Sequence, residues 1–103
     1  QRRDFTYVDD VVEATVAALG KPPVGAAINI ARGHTETLSH VIDTVRQVTG
    51  APLPIDRGPA EKGDVRVTSA DISLARRLLG YAPKTDLTDG IRRQWEHVLA
   101  GPA

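Results

Sequence analysis

The sequence predicts an α/β fold in which short strands alternate with about four helices, and three observations carry that prediction. Leu38, Val41, Ile42, Val45 and Val48 recur at offsets 0, 3, 4, 7 and 10, which lines one face of a helix. Ala26 to Ala31 is an apolar run broken only by Asn29, as expected of a strand buried on both faces. Phe5-Thr6-Tyr7-Val8 is aromatic and β-branched and passes directly into Asp9-Asp10, so a strand hands over to a helix start.

Taken in order, the elements read strand, helix, strand, helix, strand, helix, helix. The first helix spans about 9 to 19: acidic Asp9 and Asp10 suit its positive end and Gly20 its left-handed cap. Lys21-Pro22-Pro23-Val24-Gly25 is a turn-rich connection to the Ala26–Ala31 strand, which belongs to a larger parallel sheet if both its faces are covered. Thr37 caps the helix bearing the Leu38 stripe, and Gly50 ends it. Pro52 to Ile55 resumes an extended path, and Arg57 to Gly63 is a polar loop long enough to meet a ligand. Asp71 caps a short helix to Leu79 that buries Ile72, Ala75, Leu78 and Leu79, and Gly80 closes it. Asp86 with Asp89 three positions on approximates a capping box for the last helix, where Leu87, Ile91, Trp95, Val98 and Leu99 share a face.

A chain of 103 residues supports one small domain, which buries roughly two-thirds of the surface its unfolded chain exposes. With Phe5, Tyr7, Tyr81 and Trp95 its only aromatics, the core falls to Val, Ile, Leu and Ala, and such a thin core calls for a partner surface. Lys plus Arg equals Asp plus Glu, at 13 each, so the uniform basic field of a nucleic-acid or membrane-surface binder is missing. Cysteine is absent, which excludes a disulfide framework and a thiol nucleophile and fits a cytoplasmic setting. No apolar run approaches the roughly 18 to 20 residues of a membrane span. Because Gln1 lies so close to a strand-like run, further sequence is expected upstream.

Catalytic constellations do not assemble in the pattern. Ser39, Ser69 and Ser73 sit at or inside predicted helices without a Gly-x-Ser-x-Gly elbow, and capping explains them. His34, His40 and His97 show no metal-ligand spacing. No two glycines lie closer than five positions, so the Gly-x-Gly-x-x-Gly dinucleotide fingerprint is missing. What remains is basic and loop-borne: Arg2 and Arg3 before a strand, and Arg57, Lys62 and Arg66 around a glycine-containing loop. Guanidinium groups hold phosphate bidentately, which suits a diphosphate; surface ion pairing is the competing explanation. Arg76-Arg77 and Arg92-Arg93 lie on helices and face solvent by the same pattern.

Arg3-Asp4-Phe5-Thr6-Tyr7-Val8-Asp9-Asp10, Asn29-Ile30, Gly63-Asp64-Val65-Arg66 with Ala70-Asp71-Ile72-Ser73, and Leu79-Gly80-Tyr81 with Pro83 and Leu87 follow one another in an order that resembles the C-terminal part of extended short-chain dehydrogenase/reductases. More narrowly, they are similar to NAD-dependent nucleotide-sugar epimerases and dehydratases such as UDP-glucose and UDP-glucuronate 4-epimerases. The resemblance implies that residues 1–103 form the nucleotide-sugar-binding region. An N-terminal Rossmann domain outside this sequence would bind NAD and carry the catalytic Tyr-x-x-x-Lys. Tyr7 is followed four positions on by Val11 and Tyr81 by Thr85, so neither supplies that motif. The chain alone is therefore expected to be inactive, whether as a portion of an enzyme or as a noncatalytic nucleotide-binding or interaction module.

By the same resemblance, Arg3 and Arg66 hold the diphosphate of a UDP-sugar and Asp64 its ribose. One departure stands out: some 4-epimerases place an arginine two positions before the loop glycine, where this chain has Glu61, so the phosphate role passes to Arg66. The implied reaction is 4-epimerisation through a 4-keto intermediate, with 4,6-dehydration or decarboxylation as alternatives within the family and a homodimer as the expected assembly.

Overall fold

The computed structural model describes residues 1–20, 25–56 and 67–102. Its elements are β1 (Arg2–Asp4), α1 (Val8–Ala18), β2 (Thr35–Thr37), α2 (Leu38–Thr49), α3 (Ser73–Leu79) and α4 (Leu87–Ala100). β1 and β2 pair antiparallel, with Arg2 opposite Thr37, Arg3 opposite Glu36 and Asp4 opposite Thr35. On the other side of β1, Val67 forms a parallel bridge with Arg2, and the Thr68 N–H donates to the Arg2 carbonyl at 3.0 Å.

The helices follow the expected signals closely. Thr37 accepts the His40 N–H at 3.1 Å and Gly50 closes α2 in the left-handed region at φ 72°. Asp86 accepts the Asp89 N–H at 2.8 Å and starts α4. At α3 the start moves by one residue: Ile72 is the N-cap, while Asp71 just before it still accepts the Ser73 N–H at 2.9 Å and the Ser73 hydroxyl. That pair of bonds, helped by Arg76, holds the exposed Asp71 carboxyl below its ordinary range.

The strands depart from the sequence reading. The extended opening is β1, ahead of Phe5, and Phe5 to Tyr7 is only the connection into α1. Ala26 to Ala31 is not a strand buried on both faces: Ala31 is buried and Ile28 and Ile30 are half-buried, but Ala26, Ala27 and Asn29 are exposed, and no ladder partner lies among the described residues. Pro52 to Ile55 likewise joins no ladder and is exposed; it is tied to α2 by Arg46, whose Nη2 donates to the Leu53 carbonyl at 2.6 Å. β2 replaces part of what reads as loop, because its three residues gain order from β1 rather than from their own apolar content.

Two packed groups result. α1 and α3 close around Ala14, Ala31, Ile72, Ala75 and Tyr81, with Ile28, Ile30, Ala70 and Leu79 against them. α2 packs on α4. Asp10 joins the groups: buried in the first turn of α1, it accepts the backbone N–H groups of Lys84 and Thr85, both at 3.2 Å, just ahead of α4. The predicted α4 face is only partly used, since Leu87 is buried and Ile91 and Trp95 half-buried while Val98 and Leu99 are exposed. A cleft of about 300 Å³ between α2 and α4 is floored by Phe5 and Tyr7 and walled by Val41, Val45, Leu87 and Ile91.

Candidate functional site: the clamped arginine strand

Arg3 sits at the centre of β1, half-buried, between two side chains whose own bonds are spent on structure. Arg2 donates through Nε to Thr35 Oγ1 and through Nη2 to the Thr35 carbonyl, both at 3.0 Å, so its guanidinium crosses to β2 as a strand clamp. Asp4 does the same from the other end. Its Oδ1 accepts the Thr6 hydroxyl at 3.0 Å and the Arg32 N–H at 2.9 Å, and its Oδ2 accepts the Gly33 N–H at 2.8 Å. A ladder of three residue pairs is marginal alone, and these side-chain bonds supply what its backbone lacks.

Among the described residues the Arg3 guanidinium makes only a local bond, from Nη1 to the Arg2 carbonyl at 2.9 Å. No carboxylate among the described residues lies within ion-pair distance of it. Its cross-strand neighbour Glu36 would be the natural partner, since directly opposed residues share a sheet face. Glu36 is occupied elsewhere, with Oε1 at 3.1 Å from Arg32 Nη1 and 3.4 Å from His34 Nε2, and Oε2 at 3.7 Å from His40 Nε2. The carboxylate best placed to neutralise Arg3 is thus drawn toward three other groups. A guanidinium so placed can take a phosphate oxygen pair.

The loop residues predicted beside it, Asp64 and Arg66, lie outside the described residues, as do Arg57 and Lys62. Val67, which follows Arg66 in sequence, is bridged to Arg2 on β1. The helical arginines Arg76, Arg77, Arg92 and Arg93 are exposed, as expected. Arg93 also lies over the Tyr7 ring, 5.5 Å from its centroid, and Asp89 raises its pKa above the ordinary value. Gly90 permits this packing, because a Cβ there would sit 3.2 Å from the Tyr7 ring.

Sequence reasoning missed three of the residues that build this region. Asp10 reads as a helix-start acid, yet it is a buried acceptor for the connection into α4. Asp4 and Glu36 carry no chemical motif of their own. The only signal for Asp4 is its place beside Arg3, with a glycine loop far along the chain to receive it.

A family model described as GDP-mannose 4,6 dehydratase matches residues 1–94. The chain is 35% identical over 94 residues to a UDP-glucuronate 4-epimerase of Thermodesulfobacterium geofontis, covering 90% of this chain and 29% of that protein. A UDP-glucose 4-epimerase of Mycolicibacterium smegmatis is 33% identical over 94 residues, covering 91% of this chain and 30% of that one. Among solved structures, UDP-glucuronic acid 4-epimerase from Bacillus cereus, in complex with UDP-glucuronic acid and NAD, superposes with a TM-score of 0.87 at 32% identity, over 97% of this chain and 32% of that one. The chain therefore spans about a third of the length of the relatives it matches.

Proposed function

The chain belongs to the GDP-mannose 4,6-dehydratase family, and from that premise we propose that it is the substrate-gripping portion of an NAD-dependent nucleotide-sugar 4-epimerase acting on a UDP-sugar such as UDP-glucuronate or UDP-glucose. The observation that carries this reading is Arg3: a guanidinium on a strand clamped from both sides, its facing carboxylate engaged by Arg32 and two histidines. Arg66 joins it on the diphosphate and Asp64 takes the ribose, as the resemblance implies.

The described residues do not fit NAD. The helix starts after β1 and β2 carry Tyr7-Val8-Asp9 and Thr37-Leu38-Ser39, with side chains where a pyrophosphate requires glycine. The cofactor is assigned to a Rossmann domain in the rest of the whole protein, along with the catalytic residues, and residues 1–103 alone are inactive. The chemistry this chain supplies is anchoring. Arg3 and Arg66 hold the diphosphate while the sugar turns beyond it, so binding energy gathered away from the reacting carbon orients it. The whole enzyme is expected to be a cytoplasmic homodimer; no helix among the described residues is long and apolar enough to cross a membrane.

A second reading, 4,6-dehydration, is favoured by the description of the matching family model. Product analysis separates the two: the first gives a C4 epimer of unchanged mass, the second a product lighter by one water. The test of the anchor is calorimetry on the full-length protein. Arg3→Ala is expected to weaken UDP binding by about 1.5–3 kcal/mol, the range for a charged hydrogen bond. Binding of UDP that is absent, or unaltered by Arg3→Ala, overturns the assignment.

A further inference from the structure

We propose that Asp4 is a positioning residue for the Arg3 guanidinium, transmitting the rigidity of the core to the strand that carries it; the inference rests on the reading of Arg3 as the diphosphate anchor. The route is short and each link is a bond or a close approach. Tyr81, buried between α1 and α3, donates its hydroxyl to the Ala31 carbonyl at 2.7 Å, which fixes the start of the loop before β2. Gly33 in that loop has φ +80° and so close a seat against Ile72 that an added Cβ would lie 2.7 Å from Ile72 Cδ1. The loop is therefore part of the packed body. Two successive backbone N–H groups of this loop, Arg32 and Gly33, point at Asp4 and are taken one by each carboxylate oxygen.

Among the described residues nothing comparable holds Arg3: its side chain bonds there only to the neighbouring Arg2 carbonyl, so the location of the guanidinium follows from where β1 lies. Besides its backbone ladder to β2, β1 is held by the Arg2 side chain on Thr35 and by Asp4, and of these side chains Asp4 is the one that reaches the loop seated on the core. Replacing its carboxylate by an amide sets an N–H donor against one of the two loop N–H groups. That end of β1 then lifts, and an anchor displaced by about 1 Å loses much of its value.

The test is UDP titration of the full-length protein with Asp4→Asn, Arg3→Ala and both together, with NAD affinity as the control for folding. Asp4→Asn is expected to weaken UDP about tenfold, the scale on which a misplaced guanidinium forfeits its charge-assisted hydrogen bond to phosphate, while NAD affinity stays unchanged. In the Arg3→Ala background the same substitution is expected to add nothing, because residues acting through one another are not additive. Thr6→Val, which removes one of the bonds to Asp4 and leaves the carboxylate, supplies a milder variant should Asp4→Asn fail to fold. It should weaken UDP about two- to threefold, again only when Arg3 is present. A loss that persists undiminished in the Arg3→Ala background, or no loss at all where Arg3→Ala itself weakens UDP, overturns the positioning role alone. If Arg3→Ala leaves UDP affinity intact, the anchor reading falls and the positioning role with it.

Discussion

Asp10 is 3% exposed, and its carboxylate accepts the Lys84 and Thr85 N–H groups, a link between positions more than seventy residues apart. Asp10→Ala leaves these donors unpaired as well as cutting the tie between α1 and the approach to α4, and a loss of about 2–4 kcal/mol is expected, read from urea unfolding. An unchanged urea midpoint would show that the tie is dispensable. Tyr81 makes a second residue-scale prediction, with a sign fixed by its surroundings. Burial, and then the Asp10 and Asp4 carboxylates, raise its phenol above the ordinary value of 10.0. Below that value native and unfolded chains both keep the proton, and the group gives stability no pH slope. Above it the unfolded chain loses the proton first, so stability falls as pH rises from about 10 through the native pKa. Tyr81→Phe should remove that alkaline slope. At neutral pH it should cost about 1–2 kcal/mol, since the Ala31 carbonyl loses its donor. A slope that survives the substitution would place its origin elsewhere.

At the scale of elements, local rules were enough wherever an element carried its own stabilisation. α2 and α4 start at Thr37 and Asp86 because those side chains reach N–H groups three residues on, a relation visible within one helical turn. β2 was not legible, because Thr35-Glu36-Thr37 becomes a strand through Arg2 and Asp4, side chains some thirty positions away. The Ala26–Ala31 run forms no ladder among the described residues, since the larger parallel sheet it is expected to join is not among them and apolar content shows only that a segment seeks cover. Of the candidate site, the motif singles out Arg3 as a proposed anchor, whereas the clamp around it was not legible, since it exists only once β1 and the 31–33 loop meet. Gly33 is where that meeting is most sensitive to a single atom. Gly33→Ala combines a left-handed backbone with a methyl pressed against Ile72, and a loss of about 1–3 kcal/mol in thermal or urea unfolding is expected. A neutral result would mean that the loop can move away from α3 without loss.

The whole molecule is larger and flatter than its length allows for a body that completes its own core. Its radius of gyration is 16.3 Å, against about 13 Å for a compact domain of this size. It exposes 7588 Å², where about 5600 Å² is expected from its mass. Exposed large apolar side chains gather most densely on α1. α1 buries Asp10 and Ala14 on one side, while Val8, Val12, Val16 and Leu19 run along the other, all exposed, with Leu19 at 76%. A helix that packs one side on the core and carries an exposed apolar stripe on the other suits a place between two surfaces, and only one of these is present among the described residues. On the reading proposed above, in which this chain is one portion of a larger enzyme, the second surface would come from the rest of that enzyme. The isolated chain should therefore self-associate through α1, giving by light scattering a mass well above the 11.0 kDa of one copy. Val12→Asp with Val16→Asp should return it to a single copy, since charge on this face opposes association but lies opposite the side that packs on α3. In the full-length protein the same pair should lower the thermal midpoint by placing two carboxylates in an apolar seam. A monodisperse single copy from the unaltered chain would show that α1 needs no second surface, and the assignment of its outer face would fail.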